Sequence, residues 1–181
     1  MRNRLIALST AAAVIAAAAC GSDSSTPPVS HVVNFNVNMT PGGEVGANIT
    51  SSGTGVFKAT LDTVTNVFSW NFTFQGLTSN VKLGHIHGPY VVGTGNSASV
   101  ILNFDPAAAP GSATNVKFDG LLTAVAGSGS GTIVLSGATI LGNGVSADSL
   151  KRLLLAGHVY ANIHTVNNGG GEIRAQIVPT P

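Results

Sequence analysis

An alternation of aromatic and polar residues at 66–75 constrains the fold more than any other stretch of the chain. In NVFSWNFTFQ, single polar residues separate Phe68, Trp70, Phe72 and Phe74. Successive side chains of a β-strand point to opposite faces, so the pattern predicts a strand with one aromatic and one polar face. Because a buried face needs large apolar side chains, core packing is preferred over a ligand platform for the aromatic face.

Similar period-two patterns recur along the chain after residue 30. Gly, Ser, Asn and Pro separate them, as is typical of turns between strands. The further predicted strands are HVVNFNVNM (31–39), GVFKATLD (55–62), VKLGHIH (81–87), ASVILNF (98–104), NVKFDGLLTA (115–124), GTIVLSG (131–137), GHVYANIHT (157–165) and GEIRAQIVP (171–179).

One segment, 146–156, has the pattern of a helix instead. Ser146 is a suitable N-cap, Asp148 falls in the first turn, and Gly157 follows the last turn. The strands and this helix predict an all-β domain, either a single β-sandwich or a flattened antiparallel barrel with one short helix. The low share of charged residues, 8%, favours an extracytoplasmic domain over a cytosolic enzyme.

The N-terminus has the layout of a secretory signal peptide. Arg2 and Arg4 precede an apolar run, Leu5 to Ala19, whose last residues Ala17, Ala18 and Ala19 lead to the chain's single cysteine, Cys20. This segment resembles a bacterial lipobox, which predicts a signal peptide at 1–19 and a lipid on Cys20. Ordinary signal-peptidase cleavage beside an incidental cysteine is the alternative. The predicted organisation is completed by a lipid-anchored flexible tether at 20–30 and one domain at 31–181, attached to the membrane of the cell envelope at the periplasm or outer surface.

The charge balance argues against nucleic acid as a partner. Removing residues 1–19 leaves six basic residues against seven acidic ones, without a basic patch. The sequence also lacks GxSxG, Walker A, HExxH and CxxC motifs, and no paired carboxylates are identifiable. No catalytic residue is therefore assigned.

A pair of histidines at 85 and 87 is the first candidate site. In an extended strand His85 and His87 project to the same side and can bind one Cu(II) or Zn(II) ion. Zinc sites need three or four protein ligands, and His164 is the natural third candidate. Metal binding and a purely structural role for the three histidines both remain open at this point.

A polar face on the last two predicted strands is the second candidate. A hairpin across VNNGG places Asn162 opposite Arg174 and His164 opposite Glu172. Glu172 could then orient the His164 ring, as carboxylates beside metal ligands do. The alternative is a solvated sheet face with an ordinary ion pair.

The segments LGHIHGP (83–89) and LAGHVYANIHTVNNGGGEIRAQI (155–177) together resemble the CHRD (chordin) domain. The resemblance covers about 33–178. It implies a binding module found in secreted proteins and bacterial lipoproteins, without a general enzymatic activity. Carried over by motif, the metal candidates are His85, His87 and His164, and the polar cluster around them consists of Tyr160, Asn162, Glu172, Arg174 and Gln176.

An analogy with copper/zinc superoxide dismutase, a β-sandwich with an HxH copper pair, makes copper or zinc the expected cofactor if there is one. No histidine lies between 88 and 157, so a bridging ligand is missing, and the near-neutral charge gives little sign of an electropositive funnel. Enzymatic turnover is therefore disfavoured. The expected function is that of a lipid-anchored extracytoplasmic CHRD binding module with copper or zinc at the three histidines. The alternatives are a purely structural or protein-interaction domain without metal and a copper redox enzyme.

Overall fold

The computed structural model describes residues 31–46, 48–94, 98–104 and 124–181. In chain order its regular elements are β1 (Val32–Met39), a 3₁₀ turn (Pro41–Gly43), β2 (Thr54–Asp62), β3 (Val67–Gln75), β4 (Val81–His87), β5 (Val100–Asn103), β6 (Gly127–Val134), α1 (Ala147–Leu155), β7 (Val159–Thr165), β8 (Ile173–Ile177) and β9 (Pro179–Thr180). The predicted signal peptide, tether and Cys20 lie outside these residues, as does the predicted strand at 115–124 except Ala124. Within the described ranges no helix is long and apolar enough to cross a membrane.

The strands form two antiparallel sheets with a shared core. One sheet has the order β6-β3-β2-β1-β9, and the other has the order β5-β4-β7-β8. Large apolar side chains from the inner faces of both sheets, together with Leu150 and Leu154 of α1, form one continuous buried cluster. The predicted all-β sandwich with one short helix is confirmed, and the two separate sheets favour the sandwich over a closed barrel.

The aromatic stripe of β3 lies in this core, as the alternation predicts. Phe68, Trp70, Phe72 and Phe74 are buried, and the indole N–H of Trp70 donates to the Phe104 carbonyl over 3.3 Å. Burial of this much aromatic surface is a large part of the hydrophobic stabilisation of the domain.

The edge strand β6 differs from the prediction in where it begins. It starts at Gly127, four residues before the predicted strand at 131–137, and pairs along β3 as far as Phe74. Gly and Ser are poor strand formers, so GSGSG carries no local strand signal. A side chain at Gly131 would clash with the Trp70 ring, so the glycine leaves room for that ring beneath β6.

The helix agrees closely with its prediction. The Ser146 hydroxyl accepts a hydrogen bond of 3.2 Å from the Ser149 N–H, which caps α1 at its N-terminus. Gly157 has φ +68° just after the last turn, a conformation that glycine adopts without strain.

The hairpin of β7 and β8 has the predicted register, with Asn162 paired to Arg174. Its polar face is buried, since every residue of β7 is buried and Arg174 and Glu172 are 3% and 0% exposed. The alternative of a solvated sheet face is therefore wrong. Charged groups this deeply buried need specific partners.

Candidate metal centre

The pairing of β4 with β7 brings three histidines to one place. His85 lies opposite Asn162 and His87 opposite Tyr160, and His164 is paired with Leu83 in the same register. The three rings occupy the face of the four-stranded sheet that points away from the aromatic core. His85 is 1% exposed, and His87 and His164 are each 7% exposed. The remaining histidines do not join this group: His31 is exposed and His158 is half-buried near the start of β7.

The rings of His85, His87 and His164 are mutually adjacent. Their centroids lie 5.1 to 5.7 Å apart, and one ring nitrogen from each lies within 4.8 Å of the other two. Among the described residues this is the one group of three or more His, Cys, Asp or Glu side chains with that geometry. The convergence of the three predicted metal candidates is thus a feature of the fold.

Hydrogen bonds to the backbone set the tautomers of two rings. His87 Nδ1 lies 2.9 Å from the Ala98 carbonyl, and His164 Nδ1 lies 2.9 Å from the Gly169 carbonyl. A carbonyl only accepts, so each Nδ1 carries the proton and each neutral ring has a bare Nε2. This is the arrangement in which outer contacts orient imidazole ligands at metal sites.

The third ring, His85, completes the pattern. Its Nδ1 lies 3.3 Å from His164 Nε2, which has no proton, so His85 Nδ1 is the donor. His85 Nε2 and His87 Nε2 are then buried acceptors without a hydrogen-bond partner among the described residues. Such atoms are rare in folded proteins, and two of them in one histidine cluster call for an explanation.

Burial keeps the three imidazoles neutral. It lowers the pKa of His85 to about 3, with further lowering by His164 and His87. Burial also lowers the pKa of His87 to about 4, partly opposed by the Ala98 carbonyl and reinforced by His164 and Arg174. Burial also lowers the pKa of His164. The hydrogen bond to the Gly169 carbonyl opposes this lowering, and the positive charge of Lys82 adds to it. Neutral imidazole is the form that binds a metal ion.

The spacing of the ring nitrogens fits a transition-metal ion. Two ligands of a tetrahedral ion with bonds of about 2.0–2.1 Å lie roughly 3.3–3.4 Å apart, and His85 Nδ1 and His164 Nε2 are 3.3 Å apart. For both atoms to bind one ion, the proton on His85 Nδ1 must leave, and the bare Nε2 of the same ring can accept it. His87 Nε2 is the third donor.

Aromatic rings and a cation lie beside the cluster. The Tyr160 ring stacks on the His87 ring, with 4.8 Å between the ring centroids and 4° between the ring planes. The Tyr160 hydroxyl accepts a hydrogen bond of 3.2 Å from the Ala98 N–H. The Arg174 guanidinium lies 3.4 Å from the Tyr160 centroid and 4.3 Å from that of Tyr90. Gln176 donates to the Gly157 carbonyl at 2.6 Å. Tyr160 thus adjoins His87 directly and Arg174 lies behind the Tyr160 ring, whereas Gln176 fixes the backbone at the base of β7.

Glu172 has a different role from the predicted one. Its carboxylate accepts from Ser51, Thr78, Thr165 and Asn168 at 2.6 to 3.0 Å, and the Gly169 carbonyl takes the place at His164 expected for Glu172. Burial opposes ionisation, but the bonds from Ser51, Thr165 and Thr78 outweigh it and lower the pKa of Glu172 to about 2. The reason for the difference is competition, because short hydroxyl and amide donors already surround both oxygens.

A second carboxylate, Glu44, was not predicted as part of the site. Its Oε1 accepts a 2.6 Å hydrogen bond from Asn162, and burial raises its pKa to about 7, partly offset by Arg174. Gly171 has φ +129°, and a side chain there would clash with both Asn162 and Glu44. The loop segment PGGEVG has no periodicity, so only the fold shows that Glu44 reaches β7.

A β-sandwich with a buried histidine cluster on the outer face of one sheet is the class that the fold and site define. A family model described as the CHRD domain matches residues 35–177, which include all three histidines and Glu172. The chain belongs to the CHRD domain family. Comparison with curated proteins and with solved structures gave no significant match.

Proposed function

We propose that this CHRD domain is a binding module that holds one transition-metal ion, copper or zinc, through His85, His87 and His164. The observation that carries the proposal is the convergence of three buried, neutral imidazoles with bare acceptor nitrogens. Burying the bare His87 Nε2 unpaired costs free energy, and a metal ion would satisfy it. Imidazole is a good ligand for both copper and zinc.

Metal titration of the purified protein tests the proposal. We expect binding of Cu or Zn tighter than about 0.1 mM, equivalent to about −5.5 kcal/mol, by calorimetry on the chain carrying Cys20→Ser. His85→Ala and His164→Ala should each weaken binding by about 10–100-fold or more, because each removes one of three ligands.

His158→Ala is the matched control for this titration. His158 lies at the start of β7 but outside the cluster, so its replacement should leave affinity unchanged. Weaker binding than about 0.1 mM by the parent protein, or affinity that survives both cluster substitutions, contradicts the proposed site.

A second candidate function is protein interaction without metal. The exposed face of the five-stranded sheet favours it, because its side chains are mostly uncharged amides and hydroxyls. The members of three cross-strand rows are Asn34, Thr60, Ser69, Thr132, Asn36, Lys58, Asn71, Ser130, Asn38, Val56, Thr73 and Ser128. An unchanged affinity for a protein partner in His85→Ala would show that the interaction does not depend on the histidine cluster.

We further propose that the domain is lipid-anchored through Cys20 outside the cytoplasm. The lipobox-like end of the apolar segment supports the proposal. When the chain is expressed in bacteria, we expect it to fractionate with membranes and to incorporate labelled palmitate. Cys20→Ser should abolish labelling and release the protein from membranes, since one anchor is then lost. Labelling that persists in Cys20→Ser would contradict the anchor.

A further inference from the structure

We propose that the three-histidine site selects a singly charged ion, Cu(I), over divalent ions. The inference rests on the proposed function and adds the charge of the ion that the site accepts. Its basis is the electrostatic surroundings of the imidazoles, which have positive charge on two sides and, among the described residues, no carboxylate that is hydrogen-bonded to a ligand.

The nearest positive charge is Arg174. Its guanidinium lies 3.4 Å from the Tyr160 ring, and that ring stacks at 4.8 Å on His87, so the charge is within about 8 Å of the His87 ring. Arg174 is also paired with Asn162, which is the β7 partner of His85. On the other side, Lys82 is the neighbour of Leu83, which is paired with His164.

Neither nearby carboxylate is hydrogen-bonded to a ligand ring. Glu172 directs both oxygens to hydroxyl and amide donors from Ser51, Thr78, Thr165 and Asn168. Glu44 is hydrogen-bonded to Asn162, which is itself not among the three ligands. With three neutral donors, a divalent ion keeps its full charge of two in a buried site, and desolvating that charge is expensive.

The size of the discrimination follows from Coulomb's law. At about 8 Å and an effective dielectric constant of about 20, each unit of ionic charge is disfavoured by Arg174 by roughly 30-fold. Arg174 therefore reduces the affinity for a divalent ion by this factor squared, and the affinity for Cu(I) by the factor once. Structural zinc sites are in addition almost always four-coordinate, whereas the cluster has three donors.

Competition titrations measure the selectivity. The full chain is purified in mild detergent with Cys20→Ser, which removes the only thiol able to bind Cu(I). Affinity for Cu(I) is measured anaerobically against a chromophoric Cu(I) chelator, and affinity for Zn(II) against a zinc chelator. We expect Cu(I) to bind more tightly than Zn(II), with about 30-fold of the affinity ratio contributed by the charge of Arg174.

Variants at Arg174 provide the decisive comparison. Arg174→Gln should narrow the Cu(I)-to-Zn(II) ratio by about 10–30-fold, while Arg174→Lys, which keeps the charge, should preserve the ratio. If circular dichroism shows that Arg174→Gln does not fold, Lys82→Gln serves instead, because Lys82 is exposed. Lys82→Gln should narrow the Cu(I)-to-Zn(II) affinity ratio less than Arg174→Gln does, and this effect should disappear at high salt.

The outcomes separate the two proposals. Zn(II) binding as tight as Cu(I), or equal ratios in Arg174→Gln and Arg174→Lys, overturns the charge selectivity and leaves the metal site intact. Absence of binding by both ions overturns the proposed function, and the selectivity with it.

Discussion

Acidification of the metal-free protein from pH 7.5 to 5 is expected to lower its free energy of unfolding by at least about 2 kcal/mol. Burial lowers the pKa of His85 to about 3 and of His87 to about 4. The unfolded chain binds protons on these rings below about pH 6.5, while the folded domain does not. The contribution of these two neutral rings to the free energy of unfolding is therefore complete above pH 6.5 and is lost as the pH falls toward 3.

The two rings together account for about 4 kcal/mol over this range, and His164 acts in the same direction. Glu44 opposes them, since burial raises its pKa to about 7. The folded state keeps that proton between pH 7 and 4.5, which contributes about 2 kcal/mol of stability on acidification. Glu44→Gln should accordingly deepen the loss by about 2 kcal/mol.

Urea denaturation with a chelator present, at several pH values between 5 and 7.5, measures these changes. His85→Asn should flatten the pH dependence by about 2 kcal/mol, because one titrating ring is removed. His158→Asn, outside the cluster, is the control and should leave the profile unchanged. A His85→Asn profile parallel to that of the parent protein would show that this ring does not control acid stability.

Much of the fold was predictable because its signals are local. The aromatic alternation of β3, the capped helix after Ser146 and the hairpin register that pairs Asn162 with Arg174 each depend on residues close together in the sequence. The start of β6 was not predictable, because Gly and Ser at 127–131 have low strand propensity. Pairing with β3 holds these residues in an extended conformation, and the Trp70 ring occupies the space that a side chain at Gly131 would fill.

The three histidines of the candidate site were predictable from the sequence, but the groups that orient their rings were not. The HxH spacing places His85 and His87 on one face, and the family motif brought in His164, which lies beside them. The groups that orient the rings are the carbonyls of Ala98 and Gly169. Every residue has a carbonyl, so no sequence pattern identifies the two that are used.

Replacement of Glu172 by Leu is expected to cost about 3–5 kcal/mol of stability, the largest effect of any single substitution considered. The carboxylate joins segments far apart in the chain: Ser51 before β2, Thr78 after β3, and Thr165 and Asn168 at the end of β7. Leu fills the space but leaves the buried Thr165 hydroxyl unpaired and removes the shared acceptor of the other donors, which are half-buried or exposed.

Glu172→Gln tests the contribution of the negative charge, because it keeps the size and shape of the side chain. It retains an acceptor oxygen but directs an amide N–H₂ at hydroxyls that donate in the parent protein, so a loss of about 2–3 kcal/mol is expected. Because the pKa of Glu172 is lowered to about 2, its contribution is present above pH 4.5 and is lost as the pH falls toward 2. Allowing for solvent screening, this acid limb amounts to about 2–3 kcal/mol and should be absent in Glu172→Gln.

Urea denaturation at pH 7 and at pH 3 measures both effects, with Asp148→Asn as the carboxylate control. Asp148 lies in the first turn of α1, where a charge contributes less than about 1 kcal/mol. The Thr165–Asn168 turn that Glu172 holds leads directly to Gly169, whose carbonyl fixes the His164 tautomer. Glu172→Gln should therefore also weaken metal binding at pH 7 by a few-fold to 10-fold, although Glu172 contacts no ligand. Stability or acid response equal to that of Asp148→Asn would show that the carboxylate does not hold these segments together.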